Sequence, residues 1–145
     1  MKNVITTTIL AAATLAISVS PALAQAPNKL KAEIPFSFRI GSQVYEAGSY
    51  EASMVALSVG GKYLRMTNRD TNHGGLALIQ SPIAKNGTDK DYAPRLVFQC
   101  NGSDCTLSQV WTGNGESGAQ LKSVAPKTSD HMRIAVVRLL PTSAD

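Results

Sequence analysis

Arg95-Leu-Val-Phe-Gln-Cys100-Asn-Gly-Ser-Asp-Cys105-Thr-Leu-Ser-Gln-Val-Trp111 contains both cysteines of the chain and its single tryptophan. Two runs rich in β-branched and aromatic residues, Leu96 to Phe98 and Leu107 to Trp111, flank Asn101-Gly102-Ser103-Asp104. All four of these are turn formers that tolerate unusual backbone angles. The stretch predicts a β-hairpin with a four-residue loop. If Cys100 and Cys105 stand opposite each other, Phe98 faces Leu107, Leu96 faces Gln109 and Pro94 faces Trp111. One face then carries Leu96, Phe98, both sulfurs, Leu107 and Trp111. The other carries Arg95, Val97, Gln99, Thr106, Ser108 and Val110 and is more polar, so the first is expected to be the buried one.

Directly opposed residues of antiparallel strands lie within the span of a disulfide, and closing so short a loop is worth about 2 kcal/mol by chain entropy. Cys100 and Cys105 are therefore read as a structural disulfide. Free thiols and half of a metal site are the competing readings. The spacing is not the two-residue spacing of a thioredoxin-like pair, and a zinc site would have to recruit His73 and His131 from unrelated segments.

Upstream, Leu30 to Ile40 alternates without a break. Leu30, Ala32, Ile34, Phe36, Phe38 and Ile40 fall on one face, with Lys31, Glu33, Pro35, Ser37 and Arg39 on the other. This predicts one long strand, with Pro35 at a sheet edge or at an outward, unpaired position because it has no N–H to donate. Gly41-Ser42 predicts a turn, Val44-Tyr45 a short strand and Ala47-Gly48 another turn. The alternation of Tyr50, Ala52 and Met54 shifts phase at Val55, Leu57 and Val59, as a β-bulge would make it do. Gly60-Gly61 predicts a two-residue hairpin returning through Lys62 to Thr67, with Leu64 and Met66 inward. Asn68 to Gly75 is a polar loop, Leu76 to Gln80 a strand, and Ser81 to Ala93 a long polar connection.

Downstream, Thr112 to Gly118 is a glycine-rich connection and Leu121 to Val124 is weakly apolar. Met132 to Leu140 fits a helical stripe through Met132, Ala135, Val136, Leu139 and Leu140. Its Ile134, Val136 and Val137 favour a strand by composition, and a strand that covers an open edge is preferred.

The N-terminus has the form of a secretory signal: Lys2, an apolar run to Val19, then Pro21 followed by Ala22-Leu23-Ala24, with small residues where signal peptidase needs them. Cleavage between Ala24 and Gln25 would divide the chain into a signal peptide, 1–24, and a single domain, 25–145. The apolar run is shorter than a membrane span and carries a proline, and no later segment is long enough to cross a bilayer. Export accords with a disulfide, which persists in oxidising compartments. The formal net charge is +4, one less without Lys2, and the basic residues are scattered singly. That disfavours nucleic acid as a partner.

The residues Ile34-Pro35-Phe36, Phe38, Ile40-Gly41, Ala47-Gly48 and Tyr50, followed by Leu96-Val97-Phe98, Gly102, Leu107-Ser108 and Val110-Trp111, resemble a group of short secreted bacterial proteins of unknown function. In that group an Ile-Pro-Phe-x-Phe-x-Val-Gly segment leads into Pro-Ala-Gly-x-Tyr, and a later hairpin ends in Leu-Ser-x-Ile-Trp. This chain departs from the pattern in having Glu46 before Ala47-Gly48 and cysteines at both ends of the hairpin loop. The resemblance implies export and a β fold, and no activity.

No motif places a catalytic nucleophile. A hydrolase triad of His131, a serine and Asp70 lacks the glycine-flanked serine elbow, and His73 lies in a polar loop, so exposed histidines are the simpler account. Asp89 and Asp91 could bind calcium but lack the spacing of a calcium loop. The run from Gly113 to Gly118 lacks the lysine and the strand-to-helix context of a phosphate loop. Asn86 and Asn101 head formal glycosylation sequons that read as turn chemistry in a bacterial exported chain. Trp111, Tyr45, Tyr50, Tyr63 and Tyr92 could line a carbohydrate or apolar site, although the hairpin parity assigns Trp111 to the core.

The expectation is one all-β domain, an antiparallel sandwich or small barrel of seven or eight strands, exported and without a cofactor. Its function is then to bind an unidentified ligand, polymer or envelope protein. The alternatives are a small hydrolase using His73 or His131 and a self-associating structural protein of the envelope.

Overall fold

The computed structural model describes residues 29–58, 60–84, 93–113, 117–123 and 132–142. The expected signal peptide and its cleavage point at Ala24 and Gln25 lie outside the described residues. So do Asn86, Asp89, Asp91, Tyr92 and His131.

All regular structure among the described residues is β. There are eleven strands: β1 (Leu30–Ile34), β2 (Phe38–Ile40), β3 (Gln43–Tyr45), β4 (Gly48–Ala56), β5 (Lys62–Asn68), β6 (Gly74–Ile83), β7 (Arg95–Asn101), β8 (Asp104–Trp111), β9 (Gly118–Leu121), β10 (Met132–Arg138) and β11 (Leu140–Pro141). Hydrogen bonding links them in the order β10-β7-β8-β9-β6-β5-β4-β1-β11, with β2 attached to β8 and β3 to β2. The β2–β8 pair is parallel and every other pair is antiparallel.

The strand count of seven or eight is thus corrected to eleven among the described residues, and the hydrogen-bonded order runs from β10 to β11 as an open sheet, which does not support the barrel alternative. One added strand comes from the long alternating run. It breaks at Pro35-Phe36-Ser37 into β1, paired with β4, and β2, paired with β8, so the chain passes from one part of the sheet to another at its proline. Pro35 is exposed there, where its missing N–H leaves no gap in a ladder. The alternation itself survives the break: Leu30, Ala32, Ile34, Phe38 and Ile40 are all buried.

The hairpin forms as expected at its tip and differs at its base. Cys100 and Cys105 oppose each other with Cα atoms 4.0 Å apart and are joined by a disulfide. Asn101 pairs with Asp104, which leaves a two-residue turn, Gly102-Ser103, in place of the expected four-residue loop. Gly102 has φ 61° and begins that turn, the position where a II′ turn requires a positive φ. Phe98 faces Leu107 as expected, but Val97 faces Gln109, so Ser108 is an extra residue. This bulge moves the pairing by one, giving Leu96 with Val110 and Arg95 with Trp111. Val110 therefore enters the core at 2% exposure, and Trp111 does not. The Ser108 hydroxyl donates to the Val97 carbonyl at 3.0 Å, which satisfies a polar group the bulge has buried.

Elsewhere the β4–β5 pairing holds one register from Tyr50 with Asn68 to Ala56 with Lys62, so the expected bulge near Val55 is absent. The connection between these strands is five residues, 57–61, closed by the Gly60 N–H to the Leu57 carbonyl at 2.9 Å, and not a two-residue turn. Leu64 and Met66 point inward as expected, at 1% and 0% exposure. β6 runs on to Ile83, past the expected end at Gln80, and changes partner along its length, from β5 over residues 74–78 to β9 beyond them. The ambiguous last segment is a strand: β10 pairs with β7, and after Leu139 the chain pairs as β11 with β1.

The core is centred on Phe38. Its ring stacks on Tyr45 of β3 at 5.6 Å and meets Tyr50 of β4 and Phe98 of β7 edge-on at 5.1 and 5.4 Å. Phe36 adds an edge contact to Phe98 at 5.2 Å. Such geometries add to the hydrophobic gain of burying the rings.

Candidate functional site

β5 ends on Asn68, a buried polar residue whose side chain organises the return to β6. Its Oδ1 accepts the backbone N–H groups of Asp70 and Thr71 at 2.9 and 3.0 Å, and its own N–H donates to the His73 carbonyl at 2.8 Å. Asn72 closes the loop by donating its N–H to the Asn68 carbonyl, with φ 57° in the left-handed region that asparagine tolerates better than most residues. The loop sets Arg69 and Asn72 beside Lys29 and Glu51, whose Nζ and Oε1 are 3.0 Å apart. With Thr67 and Asn68 these residues line an open hollow of about 280 Å³. It offers two cations, one carboxylate, a hydroxyl and amide groups, which suits polar or anionic molecules.

The residues weighed for catalysis are not assembled. The His73 side chain is exposed, with its ring tilted against Tyr45 at 5.9 Å. Among the described residues no hydrogen bond or ion pair joins that ring to a serine, cysteine or carboxylate. Asp70 is exposed on the same loop, and His131 lies outside the described residues. No group of three metal-ligating side chains occurs among the described residues, and the two cysteines are bonded to each other.

Two of the aromatic residues weighed for a ligand site, Tyr45 and Tyr50, are committed to the core around Phe38. Tyr50 is buried at 1% exposure with its hydroxyl donating to the Glu46 carbonyl at 2.7 Å. Tyr45 is buried with its hydroxyl oxygen 2.9 Å from Gln43 Oε1, and desolvation raises its phenol above the usual 10.0. Trp111 is half-buried, a correction to its expected place in the core. One side of its ring carries the Arg95 guanidinium at 4.8 Å from the centroid. Gly118 lies so close that a Cβ added there would stand 2.5 Å from Trp111 Cε2. With Arg95 and Gly118 both against it, the indole is not an open platform for a sugar ring.

The remaining surface feature was not foreseen as a site. β10 turns Ala135 and Val137 toward the core and leaves Met132, Ile134 and Val136 at 47%, 59% and 56% exposure. These three alternate along one strand at the end of the hydrogen-bonded order, so they form a single apolar stripe. Its β-rich composition was visible in the sequence; that none of the described residues would cover its outer face was not.

No family model, no curated protein and no solved structure matches this chain.

Proposed function

We propose that the chain is an exported, non-catalytic β-sandwich module that works through its surface at the cell envelope or outside the cell, binding a polymer, a protein or a polar ligand there. The carrying observation is the close packing of the core where it can be seen among the described residues. The void between facing core residues Leu30, Ala52, Leu64, Val110 and Leu139 is about 10 Å³, room for roughly one water. Small-molecule sites are clefts of roughly 300 Å³ or more. Internal carriage is therefore disfavoured, and the surface features remain: the polar hollow at Arg69 and the apolar stripe on β10. The disulfide and the signal-like N-terminus support export. The resemblance to short secreted bacterial proteins points the same way.

Native mass spectrometry of the chain recovered from the periplasm or medium of an expressing cell tests this reading. The expected native mass is that of the chain or its whole multiples. A stoichiometric excess that disappears on denaturation but persists when Lys29→Ala and Arg69→Ala disable the polar hollow would overturn the surface reading in favour of internal carriage. The unreduced denatured mass should lie two hydrogens below that of the reduced chain.

A further inference from the structure

We propose that the hollow beside Asn68 is a saccharide site that takes a sugar unit bearing an acidic group, with the Arg69 guanidinium on the acid and Lys29, Glu51, Thr67 and Asn72 on the ring hydroxyls. This rests on the surface-acting reading above and names its ligand class.

The loop that carries Arg69 and Asn72 is fixed without a ligand. Buried Asn68 holds the N–H groups of Asp70 and Thr71 through its Oδ1. The Arg69 N–H donates to the Ser49 carbonyl of β4 at 2.8 Å, and the Asn72 N–H to the Asn68 carbonyl at 2.9 Å. Among the described residues Asn72 is the one non-glycine at positive φ. Such conformations persist where the surroundings enforce them, and they gather at binding sites. A site ordered in advance loses less entropy when a ligand arrives.

Within the hollow the two cations are not equivalent. The Lys29 ammonium lies 3.0 Å from the Glu51 carboxylate and is already paired. Among the described residues no carboxylate lies within ion-pair distance of the Arg69 guanidinium. Glu33, lowered chiefly by Lys31, feels Arg69 only as the weakest of its influences. Asp70 is exposed and does not line the hollow. Arg69 is therefore the cation open to an external anion, and its planar fork suits a carboxylate or a phosphate bidentately.

The rest of the lining selects a hydroxyl-rich body for that anion. All six lining residues are polar or charged, with no aromatic or purely aliphatic side chain among them. An acidic protein segment would bring an apolar interface core that finds no counterpart there. Ring hydroxyls both donate and accept, and the hollow offers an amide and a hydroxyl that do both, an ammonium that donates and a carboxylate that accepts. Its volume of about 280 Å³ lies near the lower end of small-molecule clefts.

The test is an NMR titration of the isotope-labelled chain, expressed with export, against glucuronate, glucose 6-phosphate and glucose at constant ionic strength. The expected result is saturable shifts of the Arg69 and Asn72 amides with at least one of the two acids, at a dissociation constant on the order of 1 mM because exposed ion pairs are weak. Glucose should give no saturation over the same range. Arg69→Gln should weaken binding by about tenfold or more, with the melting temperature unchanged. Saturation by glucuronate alone assigns a carboxylate to the site, and by glucose 6-phosphate alone a phosphate; either upholds it. No saturation by either acid, binding that survives Arg69→Gln, or glucose binding as tightly as the acids overturns it. Acetate or inorganic phosphate binding as tightly as the sugar acids removes the ring from the site and also overturns it, as does tighter binding of triglutamate, which would point to an acidic protein. The surface reading survives all of these and falls separately, on an internal ligand retained when the hollow is disabled.

Discussion

β7 and β10 are hydrogen-bonded neighbours of seven residues each, and both carry an apolar alternation, yet they are buried very differently. Along β7, Leu96, Val97, Phe98 and Cys100 are all buried, including Val97, which lies on the outward face. Along β10 the inward residues Ala135 and Val137 meet the core while Met132, Ile134 and Val136 face solvent. Local sequence does not make this difference. β7 is hydrogen-bonded to a strand on each side, β8 and β10, whose side chains shelter its outer face; β10 is hydrogen-bonded on one side only among the described residues. The comparison separates residues that hold the fold from residues available for something else, and substitutions should sort accordingly.

The largest effect belongs to the side where β7 meets the aromatic core. Phe38→Ala removes a ring shared by β3, β4 and β7 and should destabilise by about 3–5 kcal/mol, read by denaturant unfolding. If it were tolerated with a loss under about 1 kcal/mol, Phe38 would not be the centre of the core. Next, replacing Cys100 and Cys105 together by alanine should cost about 2 kcal/mol through the loop the bond closes, with the Phe98–Leu107 register retained. Two-dimensional NMR contacts between those side chains would show a lost register directly.

On the β10 side the expectation reverses. Ile134→Ser or Val136→Ser should change monomer stability by no more than about 0.5 kcal/mol, whereas Val97→Ser on the neighbouring strand should cost more than 1 kcal/mol. Equal losses at Val97 and Val136 would abolish the contrast.

Two pH effects are smaller and lie away from both strands. Burial raises the Tyr45 phenol above 10.0, so the folded chain holds that proton more tightly than the unfolded one. Its contribution is complete below pH 10 and is lost as the pH rises through the folded value, a loss that Tyr45→Phe should remove from an alkaline melting series. Glu33, beside the Lys31 ammonium at 2.7 Å, is held below the usual 4.5 chiefly by that contact. Its contribution is complete above pH 4.5 and fades as the pH falls through the folded value. NMR titration of Glu33 should return it toward 4.5 in Lys31→Ala.

The legible parts of this fold are those written in period-two patterns. The Leu30 to Ile40 faces, the inward Leu64 and Met66 and the opposed cysteines were all readable, because side-chain parity is a local property; the strand at Met132 was readable only from its β-branched composition. What parity could not supply was any event that changes it. The extra residue at Ser108 looks like any other serine, and it moved Val110 into the core and Trp111 out. The crossing at Pro35 was legible as an unpaired position but not as a change of partner strand, since the alternation continues on both sides of it. Of the surface features, the hollow draws Lys29, Glu51 and Arg69 from three separate segments with no shared motif. The β10 stripe depends on what does not cover it, which no window of sequence records.

The passage from β10 through Leu139 to β11 has a kinetic consequence. This short segment joins β7 on one side and β1 on the other, so strands from the beginning and middle of the described chain are both completed by its last residues. Such non-local pairing forms slowly, because the loops must close before the contacts that reward closure are made. A chain emerging from the ribosome has neither partner for its first and seventh strands on these sides until residue 141 is available. Until then β1 has only β4 beside it and β7 only β8, so these two strands are each half-paired until the end of the described chain is in place.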